Sequence, residues 1–362
     1  MRGHFASLIF SNLEIYDYAA YLLGLSGHAA DLNGPSFTGI GCLLTSDPEN
    51  IHHICGSNAS NYYRGEHFKD VFEIWGDGIL VAESEWWKFQ RRLNHSLIRQ
   101  SGFMSLVKNA TNRMLKDGLL PILDRAAELG FWVDMQDLSR RFTLELTCKF
   151  LLGIDLDSLS VDLPEVLFSK AIEDMEEAIF YRHLKPLRLW KLQRWLGIGV
   201  EGKSTKAKAI LDEFVYRQIS LKRDKIACKE GKEDEDLDIL SRLLTAGLDT
   251  TSVAFAWFFW LVSTHPSMEA KLRQELKEAF HLKEGDKWPY PSYQAMSKCN
   301  EFSAGANQCL GKELAMLETK MVAAAVVWNY NFEVVEGHSV DADSSIMYYM
   351  KQGLKVHVAK KA

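Results

Sequence analysis

A mainly α fold with a small β portion near its C-terminal end is the class this sequence predicts. Three observations carry that expectation. Apolar residues recur at helix-compatible spacing over most of the 362 residues. One stretch, 237–264, reads as a single long helix whose second half, VAFAWFFWLV, is apolar on every face and so belongs in the middle of a protein. The tail alternates like strands over 332–335, 345–350 and 354–358, separated by Gly337 and Gly353.

The elements follow in order. Residues 13–25 read as a helix stopped by Gly27. Residues 83–99, rich in Trp, Arg and Leu, form the next, and 101–129 another, with Pro121 as a kink or break. Helices are expected over 135–152 and 164–181. A further one over 204–226 is basic toward its end, which suits a helix C-terminus. Residues 230–238, EGKEDEDLD, hold six acids in nine positions and read as a solvated linker. The Gly and terminal Glu of a calcium loop are not at the required spacing. His265-Pro266 ends the long helix, and 267–280 is amphipathic. Residues 281–300, with Gly285, Pro289 and Pro291, read as loop, and 310–330 as the last helix. Residues 1–362 are taken as one domain with the acidic linker inside it.

Composition removes several function classes. A hydrophobic content of 47% supports a sizeable core. The net charge of −6 argues against a nucleic-acid partner, which needs a basic face. Arg91-Arg92 and Arg140-Arg141 are basic pairs, read as solvated helix surface. None of the six cysteines forms a C-x-x-C pair; a reduced compartment fits, with most thiols as small core residues. The longest apolar run is ten residues, 253–262. As a helix it covers roughly 15 Å, against about 30 Å of bilayer core. The N-terminal MRGHFASLIF is too weak for a secretory signal.

Three local patterns can carry chemistry. In Phe302-Ser-Ala-Gly305-Ala-Asn307-Gln-Cys309-Leu-Gly311 a cysteine lies between glycines just before a helix. Helix N–H groups and positive potential favour a thiolate there, which suits an iron ligand. A buried cysteine in a turn satisfies the same spacing. In Ala246-Gly247-Leu248-Asp249-Thr250-Thr251 a glycine and a carboxylate interrupt an apolar helix. Gly247 could make room for a ligand while Asp249 and Thr250 relay protons; an Asp capping the helix start is the other reading. In Trp87-Lys-Phe-Gln-Arg91 two donors share a helix face and could hold a carboxylate, or form a cation–π pair.

The combination and order of these patterns resemble the cytochrome P-450 family over nearly the whole chain. Asn58-Ala-Ser-Asn-Tyr, Gly76-Asp-Gly-Ile and Cys309-Leu-Gly-Lys-Glu-Leu-Ala look like the plant branch that hydroxylates long-chain fatty acids and alkanes. Tyr181-Arg-His-Leu-Lys-Pro and Trp190-Lys-Leu-Gln-Arg-Trp are similar to plant mid-chain alkane hydroxylases of cuticular wax synthesis. The resemblance implies the P-450 fold with a reduced β portion, haem b lying between the long central helix and the helix after the Cys loop. It implies Cys309 as axial thiolate, with Phe302, Gly305 and Gly311 shaping its loop. Trp87, Arg91 and Asn307 would face the propionates. Asp249 and Thr250 would deliver protons, and Ala246 and Gly247 would leave room for dioxygen. Electrons would come from NADPH through an NADPH-cytochrome P-450 reductase, at the cytosolic face of the endoplasmic reticulum membrane, and the substrate would be a long-chain aliphatic molecule.

The chain departs from the family at several points. Position 307 is Asn where the motif has Arg, and no Glu-x-x-Arg occurs anywhere. Internal shortening is expected between Asn300 and Phe302 and again near Leu244-Thr245, and the N-terminal anchor and its hinge are expected to be missing. A truncated gene product or an incomplete gene model follows as an expectation. The competing functions are an inactive remnant with weak or no haem binding, and a helical lipid-binding or interaction protein.

Overall fold

The computed structural model describes residues 15–33, 41–76, 78–98, 102–226, 235–283, 286, 288, 309–343 and 345–361; along 221–226 and 235–248 it describes the backbone alone. The described residues are mainly helical with two small antiparallel sheets. Helix α1 (Ile15–Leu25) ends where the sequence predicts. Gly27 is left-handed (φ 64°), and the His28 N–H returns to the Leu23 carbonyl at 3.0 Å, closing the helix end. The hairpin that follows, β1 (Ala29–Asn33) with β2 (Gly41–Thr45), was not foreseen, since neither segment alternates cleanly.

Short helices α2 (Pro48–His52) and α3 (Gly65–Val71) lead to α4 (Ser84–Ile98). Helix α5 (Phe103–Met114) runs through a π turn, Leu115–Leu119, into α6 (Leu120–Leu129). Pro121 is the second residue of α6, directly after the π turn, and the helix continues through it. Strand β3 (Trp132–Asp134) feeds α7 (Met135–Leu151). Asp134 caps that helix, accepting from the backbone N–H groups of Gln136 (2.9 Å) and Asp137 (3.3 Å). It also accepts from the Leu354 N–H at 2.9 Å. A side chain at position 353 would collide with this carboxylate, which requires the glycine.

Helices α8 (Leu167–Leu184) and α10 (Gly199–Ile226) pack together, with α9 (Leu187–Leu196) across their connection. Helix α9 was not foreseen as an element, and α10 starts before the expected residue 204. The central helix, α11 (Glu235–Thr264), begins inside the stretch read as a linker. Acidic residues are favoured at a helix start by its unpaired N–H groups and positive dipole end, and the sequence places Glu235, Asp236 and Asp238 there. Helix α12 (Pro266–Phe280) and α13 (Lys312–Asn329) complete the helical part.

The second sheet has the order β3, β5 (Lys355–Lys360), β4 (Tyr330–Val334), all antiparallel. The strand expected over 345–350 is absent from it; among these residues only Met350 makes a bridge, to Ala342. The Gln136 side chain takes the place of a partner strand. Its Nε2 donates to the Met350 carbonyl (3.0 Å) and its Oε1 accepts the Met350 N–H (2.7 Å).

One apolar cluster joins α5, α6, α7, α11, α13 and the tail sheet, with Phe142, Phe255 and Phe259 fully enclosed. A second joins α7, α8 and α10. Within the latter, Arg182 binds Glu201 in two-pronged fashion (2.9 and 2.7 Å) and donates to the Val71 carbonyl (3.0 Å). Its guanidinium lies 4.5 Å from the Trp190 ring centre. Two of the segments that carried the alkane-hydroxylase resemblance therefore meet in space. Among the described residues no helix is long and apolar enough to cross a membrane.

Removing one partner of a buried ion pair leaves the other charge without compensation, at a cost of roughly 3–5 kcal/mol. Arg182→Ala should lower the unfolding free energy by about that much, and a double variant, Arg182→Met with Glu201→Gln, should recover part of it. Urea denaturation of the variants checks this.

Candidate functional site

Asp249 lies well inside α11, which begins at Glu235, so it does not cap the helix. It is fully buried. Arg140 of α7 donates from Nε to Asp249 Oδ1 at 3.1 Å, and the Tyr349 hydroxyl donates to the same oxygen. Arg140 also donates to the Ser169 carbonyl (3.2 Å), pairs with Glu173 and stands 5.2 Å from the Tyr349 ring centre. The expectation that Arg140-Arg141 is solvated helix surface is thus corrected. Arg140 is 7% exposed, and Arg141 is engaged by Asp137 (2.8 Å) and by the Ser158 and Pro164 carbonyls. Asp137 is an i,i+4 partner of Arg141 on the same helix, but the partners of Arg140 lie on other segments, where local charge spacing cannot show them.

Burial alone would push the Arg140 guanidinium down; the negative charge of Asp249 outweighs it and holds the group above its ordinary value. Burial, then Asp249, pushes the Tyr349 hydroxyl up. Glu176, on α8 beside this group, is pushed well up by burial and then by the Asp249 charge.

The sides of α11 differ in kind. Phe255, Ala256, Phe259 and Val262 are buried, whereas Thr250, Ala254 and Leu261 are exposed at helical spacing. The apolar run is therefore not covered on every face, as the sequence reading had it. Ala246 shares the Thr250 face by periodicity, one turn earlier; Ala246 and Gly247 are described in backbone only. Asp249 and Thr250, adjacent in sequence, point to different surroundings.

Cys309 is a free, exposed thiol just before α13, and α13 packs on α11. It is not the buried turn cysteine that the spacing also allowed. The unpaired N–H groups at the start of α13 favour negative charge nearby. Gly311, at the cap of α13, lies next to the sulfur; a Cβ there would stand 3.9 Å from Sγ, in ordinary van der Waals contact. The other thiols divide: Cys148 is core, while Cys42 and Cys55 are exposed, against the expectation that most are core. On α4 the Arg91 guanidinium lies 5.3 Å from the Trp87 ring centre, in cation–π contact. Helix α4 packs on α5, which packs on α13. Phe302, Gly305 and Asn307 lie outside the described residues.

The donor chemistry fits a haem-thiolate group. An exposed thiol at a helix start, an uncovered face of the helix packed against it, and an arginine beside an indole are the parts such a group needs. The sequence reading missed Arg140, Glu176 and Tyr349. No local signal marks them, because the contact between Arg140 and Asp249 spans 109 positions and that between Tyr349 and Asp249 spans 100.

The comparisons agree with this chemistry. The family model for cytochrome P-450 matches residues 39–300. An alkane hydroxylase of Arabidopsis thaliana is 32% identical over 450 aligned positions, covering 96% of this chain and 90% of the relative. Cytochrome P-450 86B1 of the same plant is 26% identical, covering 96% and 82%. A noroxomaritidine synthase of Narcissus aff. pseudonarcissus is 27% identical, covering 98% and 89%. The 450-position alignment exceeds the 362 residues of this chain, so that relative carries stretches with no counterpart here.

Glu318 of α13 is 5% exposed, and burial raises its carboxyl from 4.5 to about 8. A folded value above the unfolded one means tighter proton binding in the folded state. The associated stability is complete below about pH 4.5 and is lost as pH rises through about 8. Glu318→Gln should make the loss of stability over that window shallower, with the largest gain above pH 8. Urea midpoints across pH check this.

Proposed function

Because the chain belongs to the cytochrome P-450 family, we propose that it is a haem-dependent monooxygenase hydroxylating a long-chain aliphatic substrate, a fatty acid or alkane, with Cys309 as the iron ligand. The observation that carries the reading is the pairing of an exposed thiol before α13 with the uncovered Thr250 face of α11, two helices packed on one another. The likeness to an alkane hydroxylase supports the substrate class.

The haem, when bound, supplies the activation of dioxygen that inserts one oxygen atom into a C–H bond. The chain's own residues do the rest. Cys309 would hold the group through its sulfur. The Trp87 indole N–H and the Arg91 guanidinium hold its carboxylates. Asn307 can donate a hydrogen bond there but adds no charge. Relative to an arginine, the lost Coulomb attraction is about 4 kcal/mol at 4 Å and an effective dielectric near 20, before desolvation is counted. Thr250 offers a hydroxyl proton on the exposed face of α11, and the small residues Ala246, Gly247 and Ala254 leave space beside it. Asp249, held by Arg140, acts from behind that face. By the family resemblance, Phe302, Gly305 and Gly311 would shape the Cys309 loop. An NADPH-cytochrome P-450 reductase supplies electrons, at the cytosolic face of the endoplasmic reticulum membrane.

A second reading, a remnant with weak or no haem binding, is favoured by the missing Glu-x-x-Arg and by the stretches that the alkane hydroxylase has and this chain lacks. One spectrum separates the two. Reduced protein supplied with haem and carbon monoxide should show the red-shifted Soret band of thiolate ligation, and Cys309→Ser should abolish it. Absence of haem uptake, or a histidine-type band, favours the remnant. In an active preparation, Thr250→Ala should raise oxygen consumption per product formed; unchanged coupling removes Thr250 from proton delivery.

A further inference from the structure

Glu176 has no place in the reading above, yet it is 1% exposed and faces the rear of the central helix. Neither of its carboxyl oxygens has a donor in full hydrogen-bond geometry, nor does Asp249 Oδ2, although the Tyr349 hydroxyl lies close enough to Glu176 to favour its charge weakly. The two carboxyls stand within hydrogen-bonding reach of one another. Two carboxylates cannot bond to each other, but a carboxylic acid and a carboxylate can. A single proton satisfies both orphaned groups at once.

The charges around the pair require the same proton. Facing it are Arg140 from α7, Glu173 and Glu176 from α8, Asp249 from α11 and the Tyr349 hydroxyl from the tail. One cation would otherwise face three carboxylates, two of them away from water. Arg140 and the Tyr349 hydroxyl both donate to Asp249 Oδ1, Tyr349 also lies near Glu176, and Oδ2 is the Asp249 oxygen left without a donor.

We propose that Glu176 and Asp249 share one proton at neutral pH, and that Glu176 thereby acts as a positioning residue that keeps a proton behind the Thr250 face of the central helix. The proton sits on a Glu176 oxygen and is donated to Asp249 Oδ2, so the pair carries one negative charge, matched by Arg140. The sharing itself does not depend on haem. Its use in oxygen chemistry rests on the monooxygenase reading.

Infrared spectroscopy of the full chain, labelled with carbon-13 in glutamate, tests the sharing without haem. At pH 7 a protonated glutamate carbonyl band, sensitive to the label and to deuterium exchange, should disappear from the wild-type spectrum on Glu176→Gln. The signal of Glu318, raised toward about 8, should remain. Superimposable wild-type and variant spectra overturn the proposal. Should Glu176→Gln fail to fold, Asp249→Asn decides. With Asp249 neutral, Arg140 draws the charge onto Glu176, and the Glu176 band should vanish at pH 7. A band unmoved by Asp249→Asn overturns the proposal. In haem-loaded protein, Glu176→Gln should shift the pH profile of coupling while leaving the thiolate-type spectrum intact. An unchanged profile overturns the catalytic use alone, and a chain that takes up no haem defeats the monooxygenase reading while the infrared result stands.

Discussion

The rest of the structure depends on one buried cation. Arg140 reaches from α7 to Asp249 on the central helix, to Glu173 and the Ser169 carbonyl on α8, and lies over Tyr349 of the tail. Four segments distant in sequence are tied through one guanidinium, whose planar set of five donors can serve them together. A lysine at this position could not make the same set of directed bonds. A hydrophobic interface alone permits α11 to rotate about its axis, because Phe255, Ala256, Phe259 and Val262 make a broad apolar side. The ion pair fixes that rotation, since a turned Asp249 would be a buried charge without a partner.

The exposed face of α11 follows from that orientation. With Asp249 turned inward, helical geometry sends Thr250 outward, together with Ala254 and Leu261. Helix α13 packs beside this helix and presents Cys309 at its start. A thiol and an uncovered helix face are thereby set on adjacent elements, the relation a haem-thiolate site needs. A rigid rear and an open front on one helix also explain why Asp249 and Thr250, neighbours in sequence, do not form a simple side-by-side pair.

Much of this was legible in the sequence, and what was not shares one cause. Periodicity marked α1, α4, α7, α11 and α12, because each carries a sustained apolar pattern. The oddity of a glycine and an acid in an apolar helix drew attention to Asp249, which is fully buried and paired with Arg140. What satisfies that acid was out of view: Arg140 looks like half of a surface pair until a helix over a hundred positions away packs on it. The tail shows the same limit. Residues 345–350 alternate like a strand, but the Gln136 side chain supplies the Met350 hydrogen bonds and the ladder never forms. The acids of 235–238 read as solvated linker, and they suit a helix start for an equally local reason.

Hydrogen exchange measured by mass spectrometry on Arg140→Met tests the central claim most directly. If this guanidinium fixes the central helix, protection should fall together in Met135–Leu151, Leu167–Leu184, Glu235–Thr264 and the segment around Tyr349. Loss of protection confined to the neighbourhood of residue 140, with the central helix as protected as in the wild type, would contradict it.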